Sequence, residues 1–313
     1  MLHSNSQMNN DEIYMSRCLQ LAQCGRQNAK PNPMVGAVIV ANNIIIGEGY
    51  HVRCGEGHAE VMAFASVSAD DEALLGQATM YVSLEPCSHY GKTPPCADLI
   101  INKGIKRVVV GCIDEFAEVK GRGIEKLRRA GIDVTVGVME KECRWLNRRF
   151  FTFHSQHRPY IILKWAQTAN GFIDADGQAI AISTPFTQML NHKMRSEEDA
   201  ILVGRVTDDR EHPQLNVRHW VGPSPSRLVV DRQHPLNLES LYHHNVQSLI
   251  VEGGRKTLES FLVQGLWDEI RVETNTLLTV AGGTRAPQLP ANACVAQKEV
   301  YDGNVIILYA RVP

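Results

Sequence analysis

Three residues constrain this chain more than any other feature: His58, Cys87 and Cys96. They stand in His58-Ala59-Glu60 and in Leu84-Glu85-Pro86-Cys87-Ser88-His89-Tyr90-Gly91-Lys92-Thr93-Pro94-Pro95-Cys96. One imidazole and two thiolates are three soft ligands for a tetrahedral Zn2+, with the fourth position left to water. A fold that uses them must deliver two distant segments to one point. Each cysteine alone reads as a small packed residue, as do Cys18, Cys24, Cys54, Cys112, Cys143 and Cys294. The combination with Glu60 is different, because a purely structural zinc site takes four protein ligands and has no use for the glutamate.

At 313 residues the chain has room for about two domains, each with a sizeable core. A formal charge of −2 offers no basic footprint for nucleic acid and no polybasic surface for a membrane. No apolar run approaches the roughly 20 residues of a membrane span. Met1 to Asn10 is polar and lacks a signal-peptide core. Eight scattered cysteines are too few for a disulfide scaffold, and two of them are wanted as thiolates, which points to a reducing cytoplasm.

The periodicity predicts a helix over 11–25 capped by Asp11, then a turn at Lys30-Pro31-Asn32-Pro33 whose prolines hold Asn32 extended. Strands over 34–40 and 44–47 are joined by Asn42-Asn43, a hairpin signal. His58 opens a helix to about Val67. A buried strand over 80–83 leads to Cys87, and Pro94-Pro95-Cys96 opens a helix to about Lys103. Strand 106–112, helix 123–130 and strand 133–137 follow. Alternating strands and helices imply an α/β sandwich on a mixed sheet, with metal ligands at helix N-termini whose dipoles favour thiolate. A helix near 141–153 leads away. The pattern then restarts with strands over 160–165, 200–203, 228–231, 248–252, 269–274 and 305–310, and helices over 185–195 and 255–264, which marks a second domain from about 150.

A zinc-bound water has a pKa of about 7, and Glu60 is placed to take its proton and pass it to a departing amine. This is the parts list of a zinc hydrolytic deaminase. In nucleotide deaminases generally, two residues separate the cysteines. Here eight intervene between Cys87 and Cys96, and Lys92 lies among them. Lys92 suits a phosphate as a point charge; a solvated loop lysine is the plain alternative.

With this longer loop, residues 11–150 resemble the pyrimidine deaminases of riboflavin biosynthesis. The matching stretches are Pro31-Asn32-Pro33-Met34-Val35-Gly36, Gly49-Tyr50-His51, Gly57-His58-Ala59-Glu60-Val61, Leu84 to Cys96, and Gly121-Arg122-Gly123 with Ala130-Gly131-Ile132. The resemblance implies Glu60 as the catalytic residue on the zinc ligands His58, Cys87 and Cys96. It implies substrate contacts at Asn32, His51 and Asp114, with Lys92 on the ribose phosphate.

Residues 160–313 resemble the reductase that is commonly fused to that deaminase. The pieces are Tyr160 to Lys164, Met194-Arg195, Ala200 to Gly204, Pro213 to Arg218, Leu228 to Asp231, and Val251-Glu252-Gly253-Gly254 with Thr257-Leu258. The likeness implies an α/β fold in two parts: a cytidine-deaminase-like three-layer α/β/α domain over 1–149 and a dihydrofolate-reductase-like α/β domain over 150–313. It implies NADPH as cofactor, substrate contacts at Lys164, Leu215, Arg218 and Glu252, and cofactor contacts at Thr207, Glu211, Gly254, Thr257 and Leu258. Physically, Glu252-Gly253-Gly254 before a helix lets the backbone approach a pyrophosphate, with N–H groups free from Arg255 onward. It is neither a Walker loop nor a Rossmann fingerprint. An ordinary turn there, and a surface place for Arg218, are the plain alternatives.

The expected activity is therefore bifunctional. The first half would deaminate 2,5-diamino-6-ribosylamino-4(3H)-pyrimidinone 5′-phosphate, and the second would reduce the ribosyl group to ribityl with NADPH. The partner is this small phosphoribosyl pyrimidine, without nucleic acid or membrane, in a homodimer. The rivals are a deaminase of another nucleotide or of a transfer-RNA base, a deaminase with a non-catalytic second domain, and a binding protein that kept the folds alone.

Overall fold

The structure is a computed structural model and describes residues 8–89, 94–114 and 121–311. The chain divides into two compact units between Ser155 and Gln156. The first runs α1 (Asn10–Cys24), β1 (Gly36–Ala41), β2 (Ile44–Tyr50), α2 (Ala59–Ala65), β3 (Thr79–Leu84), α3 (Cys96–Asn102), β4 (Arg107–Cys112), α4 (Arg122–Arg129), β5 (Asp133–Val136), α5 (Glu140–Leu146) and α6 (Arg148–Gln156), with a 3-10 turn over Glu72–Gln77.

Its sheet has the order β2-β1-β3-β4-β5. Strand β1 is antiparallel to both neighbours, and β3, β4 and β5 are parallel. All six residues of β1 are buried, as a central strand covered on both faces requires. Successive side chains alternate between the faces. Ala37 and Ile39 of β1 pack with Ala63, Ile100 and Leu127 of α2, α3 and α4. Val38 and Val40 pack with Met15, Cys18, Cys143 and Leu146 of α1 and α5. The result is three layers. Asn42 and Asn43 both have positive φ, the tight-hairpin conformation expected of that dipeptide.

Two local expectations change. Asn9, rather than Asp11, caps α1, in a capping box with Glu12. Asp11 has a longer-range use: it accepts from Arg107 at 2.7 and 3.0 Å and from the Tyr81 hydroxyl at 2.8 Å. The helix expected over 141–153 is two helices, broken at Asn147, whose amide bonds elsewhere.

The second unit runs β6 (Tyr160–Thr168), α7 (Pro185–Glu197), β7 (Ala200–Gly204), α8 (Arg205–Glu211), β8 (Ser226–Val230), α9 (Leu238–His243), β9 (Ser248–Val251), α10 (Arg255–Val263), β10 (Glu269–Asn275), β11 (Ala293–Tyr301) and β12 (Asn304–Arg311). The sheet order is β11-β12-β10-β6-β9-β7-β8. From β10 to β8 all pairs are parallel, and β12 and β11 add antiparallel strands at one edge. Ile161, Leu163, Leu202, Leu249, Val251 and Trp267 form its core. Sequence patterning missed β11, α8 and α9. Strand β11 is an edge strand with mostly exposed side chains, so it lacks the alternation that betrays a half-buried strand. No helix among the described residues is long and apolar enough to cross a membrane.

Candidate active sites

In the first unit, His58 is the N-cap of α2, and Glu60 lies in the first turn of that helix, 3% exposed. Cys96 is the first residue of α3. Cys87 follows β3 and is tied to α3 twice: its carbonyl accepts from Ala97 N–H at 3.1 Å, and its sulfur accepts from Cys96 N–H at 3.3 Å. His58 Nδ1 lies 3.6 Å from Cys87 Sγ and 3.3 Å from Cys96 Sγ. The three ligand atoms all fall within 4.8 Å of one another. Tetrahedral zinc with ordinary bond lengths places nitrogen and sulfur about 3.6 Å apart, so the donor set fits Zn2+ in both chemistry and spacing. The Cys96 thiol, and then the His58 ring, hold the Cys87 thiol well below its ordinary range. Burial, then the Cys87 charge, pushes Glu60 up to about 7.

The loop that carries Cys87 is fixed by a residue that sequence reasoning passed over. The buried Glu85 carboxylate accepts from the backbone N–H groups of Gly121 and Gly123, both at 2.9 Å, of Asp114 at 3.3 Å and of Ile124 at 3.4 Å. It thereby caps α4, whose own N-cap, Gly121, has φ of +75° and no side chain to do so. Helix α4 comes so close that a Cβ on Gly123 would lie 2.0 Å from the Pro86 carbonyl oxygen.

Asn32 and His51 meet beside this group. Asn32 Nδ2 is 3.1 Å from His51 Nε2, and His51 Nδ1 is 3.1 Å from the Gly57 carbonyl oxygen. A carbonyl only accepts, so Nδ1 carries the proton and Nε2 accepts from the Asn32 amide. Burial lowers the His51 pKa and favours this neutral form. The His51 ring stands edge-on to the His58 ring, with centroids 5.5 Å apart. Asp114, buried, follows β4. Lys92 lies outside the described residues.

In the second unit a cleft of about 350 Å³ opens beyond the C-terminal ends of parallel strands, where open α/β sheets place ligands. Seven of the residues implied by the likeness line it: Lys164, Thr207, Glu211, Leu215, Arg218, Glu252 and Gly254. Thr257 packs under Gly204 and Gly253, and Leu258 is fully buried in the core. Neither side chain lines the cleft.

Sequence reasoning also missed the residue that organises this cleft. Arg195 of α7 clasps Glu252 in a fork, Nη2 to Oε2 at 2.7 Å and Nε to Oε1 at 3.2 Å. Lys164 Nζ stands 3.9 Å from the same carboxylate. Burial pushes Glu252 up, but the Lys164 and Arg195 charges outweigh it and hold the carboxyl below its ordinary value. Arg195 belongs to an inward polar face of α7 with Thr187, Asn191, His192 and Ser196. A search for apolar stripes turns such a helix the wrong way. Arg218 donates to Asn216 Oδ1 at 3.0 Å and is otherwise exposed. Helix α10 begins at Gly254 with no side chain capping its first turn, and a Cβ on Gly254 would lie 2.9 Å from Thr207 Oγ1. Gly254 N–H is taken by Thr207 Oγ1 at 3.1 Å, leaving the amides after it for an anion. These groups fit the phosphate and nicotinamide ribose of a dinucleotide.

Comparison with known proteins gives the family of both units. Residues 8–112 match the family of the cytidine and deoxycytidylate deaminase zinc-binding region, and residues 159–239 match the RibD C-terminal domain. Riboflavin biosynthesis protein RibD of Aquifex aeolicus is 40% identical over 309 residues, covering 84% of this chain and 86% of that protein. The RibD of Bacillus amyloliquefaciens is 33% identical, covering 89% of this chain and 87% of that protein. The crystal structure of a diaminohydroxyphosphoribosylaminopyrimidine deaminase/5-amino-6-(5-phosphoribosylamino)uracil reductase from Thermotoga maritima superposes with a TM-score of 0.86. It is 33% identical and covers 97% of this chain and 99% of that one. With a cytidine-deaminase-like α/β unit, a reductase-type α/β unit and near-complete coverage by relatives of this kind, the chain belongs to the RibD family of bifunctional riboflavin-biosynthesis enzymes, zinc-dependent deaminase in one half and NADPH-dependent reductase in the other.

Proposed function

We propose that the first unit deaminates the diamino-ribosylamino-pyrimidinone phosphate and that the second reduces the ribosyl group of its product to ribityl with NADPH. The observation that carries this reading is the convergence of His58, Cys87 and Cys96 beside the buried Glu60.

His58, Cys87 and Cys96 would hold Zn2+, which supplies Lewis acidity and lowers the pKa of a water toward neutrality. Glu60 accepts the proton of the attacking water and returns it to the departing ammonia. Its burial keeps the carboxyl basic enough to take a proton and acidic enough to give it back. Asn32 and His51 bind the pyrimidine edge, Asp114 faces the substrate from the end of β4, and Lys92 grips the phosphate.

In the second unit Arg218 binds the same phosphate, a natural role for a guanidinium fork. Lys164 and Glu252, with Leu215 beside them, hold the ribose and manage its proton, while NADPH provides the hydride. Thr207, Glu211, Gly254, Thr257 and Leu258 form the cofactor side, with Thr257 and Leu258 acting from beneath through backbone and packing. The domains proposed, residues 1–149 and 150–313, correspond to the two compact units, whose boundary lies a few residues later at Ser155–Gln156. None of the eight cysteines is in a disulfide; the setting proposed is cytoplasmic, and the assembly proposed is a homodimer without nucleic-acid or membrane partners.

The test is to incubate the zinc-loaded chain with the diamino substrate and follow ammonia release, then NADPH oxidation once deamination has begun. Both signals in that order are expected. Ammonia from cytidine or dCMP, with none from the riboflavin intermediate, would overturn the reading. Ammonia without NADPH oxidation would leave a deaminase with an inert second unit.

A further inference from the structure

A buried amide distant in sequence from the metal ligands is tied to the substrate-facing loop. Asn147, at the break between α5 and α6, is 2% exposed. Its Oδ1 accepts from Met34 N–H at 2.8 Å, and its Nδ2 donates to the Met34 carbonyl at 2.8 Å. The side chain thus pairs with Met34 as a neighbouring strand would, satisfying both backbone groups of one residue. Met34 is two residues from Asn32, with only Pro33 between. Pro33 has no N–H and a fixed φ, so the position of Met34 passes directly to Asn32.

At the other end of this short segment the Asn32 amide is oriented by His51. Gly57 carbonyl fixes the proton on His51 Nδ1, Nε2 accepts from Asn32 Nδ2, and Asn32 Oδ1 is left as an acceptor with no protein partner among the described residues. The backbone of His51 is itself held to this segment, its N–H donating to the Val35 carbonyl at 3.0 Å. Asn147 and Gly57 therefore bracket a relay whose product is one correctly facing carbonyl oxygen. An acceptor there suits an amino group on a pyrimidine ring.

We propose that Asn147 is a positioning residue for deamination: its paired hydrogen bonds to Met34 hold Asn32 so that Oδ1 receives an amino group of the pyrimidine. The inference rests on the deaminase reading of the first unit. Asn147 touches no reacting atom and acts only through the loop.

A double-mutant cycle on the full zinc-loaded chain tests it. Asn147→Ala, Asn32→Ala and the double variant are compared in deaminase kcat and KM, with zinc content and reductase turnover of the same chain as controls for the fold. Loss of a buried bonded pair that aligns a substrate contact is expected to cut deaminase kcat/KM on the order of tenfold, with the controls retained. In the Asn32→Ala background, removing Asn147 is expected to cost less than about twofold more, because residues acting through one another are not additive. Equal losses from Asn147→Ala in both backgrounds, or an undiminished kcat/KM in Asn147→Ala, would overturn the proposal. Should Asn147→Ala fail to fold, the isosteric Asn147→Asp, which keeps the acceptor for Met34 N–H but loses the donor, is read in the same cycle with the same outcomes. An unmutated chain with no pyrimidine deamination would count against the functional reading instead.

Discussion

Gly123 sits in the first turn of α4, where alanine would ordinarily be the better residue. Helix propensity alone predicts that Gly123→Ala stabilises the chain by about 1 kcal/mol. The structure predicts the opposite sign. The new Cβ would lie 2.0 Å from the Pro86 carbonyl oxygen, a backbone atom, and 3.3 Å from Glu85 Oε1. Reaching an ordinary contact near 3.5 Å requires α4 and the Cys87 loop to part by more than about 1 Å. Forced overpacking of this kind costs about 1–3 kcal/mol. The same movement stretches the bonds from Gly123 and Ile124 N–H to Glu85, now 2.9 and 3.4 Å, beyond useful range. Each such bond to a carboxylate is worth about 1.5–3 kcal/mol. Adding both bonds to the overpacking and subtracting the propensity gain leaves a net loss of roughly 3–8 kcal/mol. For a unit of this size that lowers Tm by on the order of 6–30 °C. Scanning calorimetry of the full chain, with zinc content measured beside it, reads the effect. A Tm that is unchanged or higher would show that the close approach of α4 to Pro86 is wrong.

Other perturbations separate the parts of each site. Glu60→Gln should keep zinc while deamination falls by about 10²-fold or more, the usual worth of a proton-transfer group; substantial turnover would remove that role. Cys87→Ser should lose the metal outright, and full occupancy by metal analysis would contradict the ligand assignment. Arg195→Met strips the fork from the buried Glu252 and leaves only Lys164 at 3.9 Å. A cost of about 3–5 kcal/mol in stability, with reductase turnover abolished and deaminase turnover kept, is expected; normal NADPH oxidation would refute it. The Arg107 hydrogen bonds hold Asp11 below its ordinary carboxylate value of 3.8. A depressed carboxylate stabilises above that value and loses its contribution as pH falls toward the lowered one. Asp11→Asn should therefore cost about 1 kcal/mol in urea unfolding at pH 7, and the gap to the parent should close below about pH 4. A gap that widens in acid would reverse the sign of the argument.

The metal cluster was legible because its residue types are rare together and their chemistry is specific: His58, Cys87 and Cys96 meet at zinc distances, and Glu60 is buried beside them. The strands of the first unit were legible because they are buried on both faces and read as continuous apolar runs, whereas their order in the sheet is set by pairings far along the chain. What stayed hidden were polar side chains serving partners far along the chain. Glu85 bonds residues 29 to 39 positions away, and Asn147 bonds Met34 across 113. Neither spacing leaves a local trace, since a buried carboxylate or amide looks in sequence like a surface one. Arg195 was hidden for a related reason: α7 turns its polar face inward, so hydrophobic periodicity misplaces it. The Asp11 cap failed for a more local reason: Asn9 has Glu12 three residues on to complete a capping box, while Asp11 turns to the distant Arg107.

Glu85 carries one more consequence. Its Oε2 holds the N–H of Asp114 at 3.3 Å and that of Gly121 at 2.9 Å. Both ends of the segment 115–120 are thus fastened to a single oxygen atom, whatever the chain does between them. By loop-closure statistics, doubling the number of residues there costs only about 0.6 kcal/mol. With Asp114 and Gly121 fastened to one carboxylate, a change of length between them is absorbed without moving the end of β4 or the start of α4.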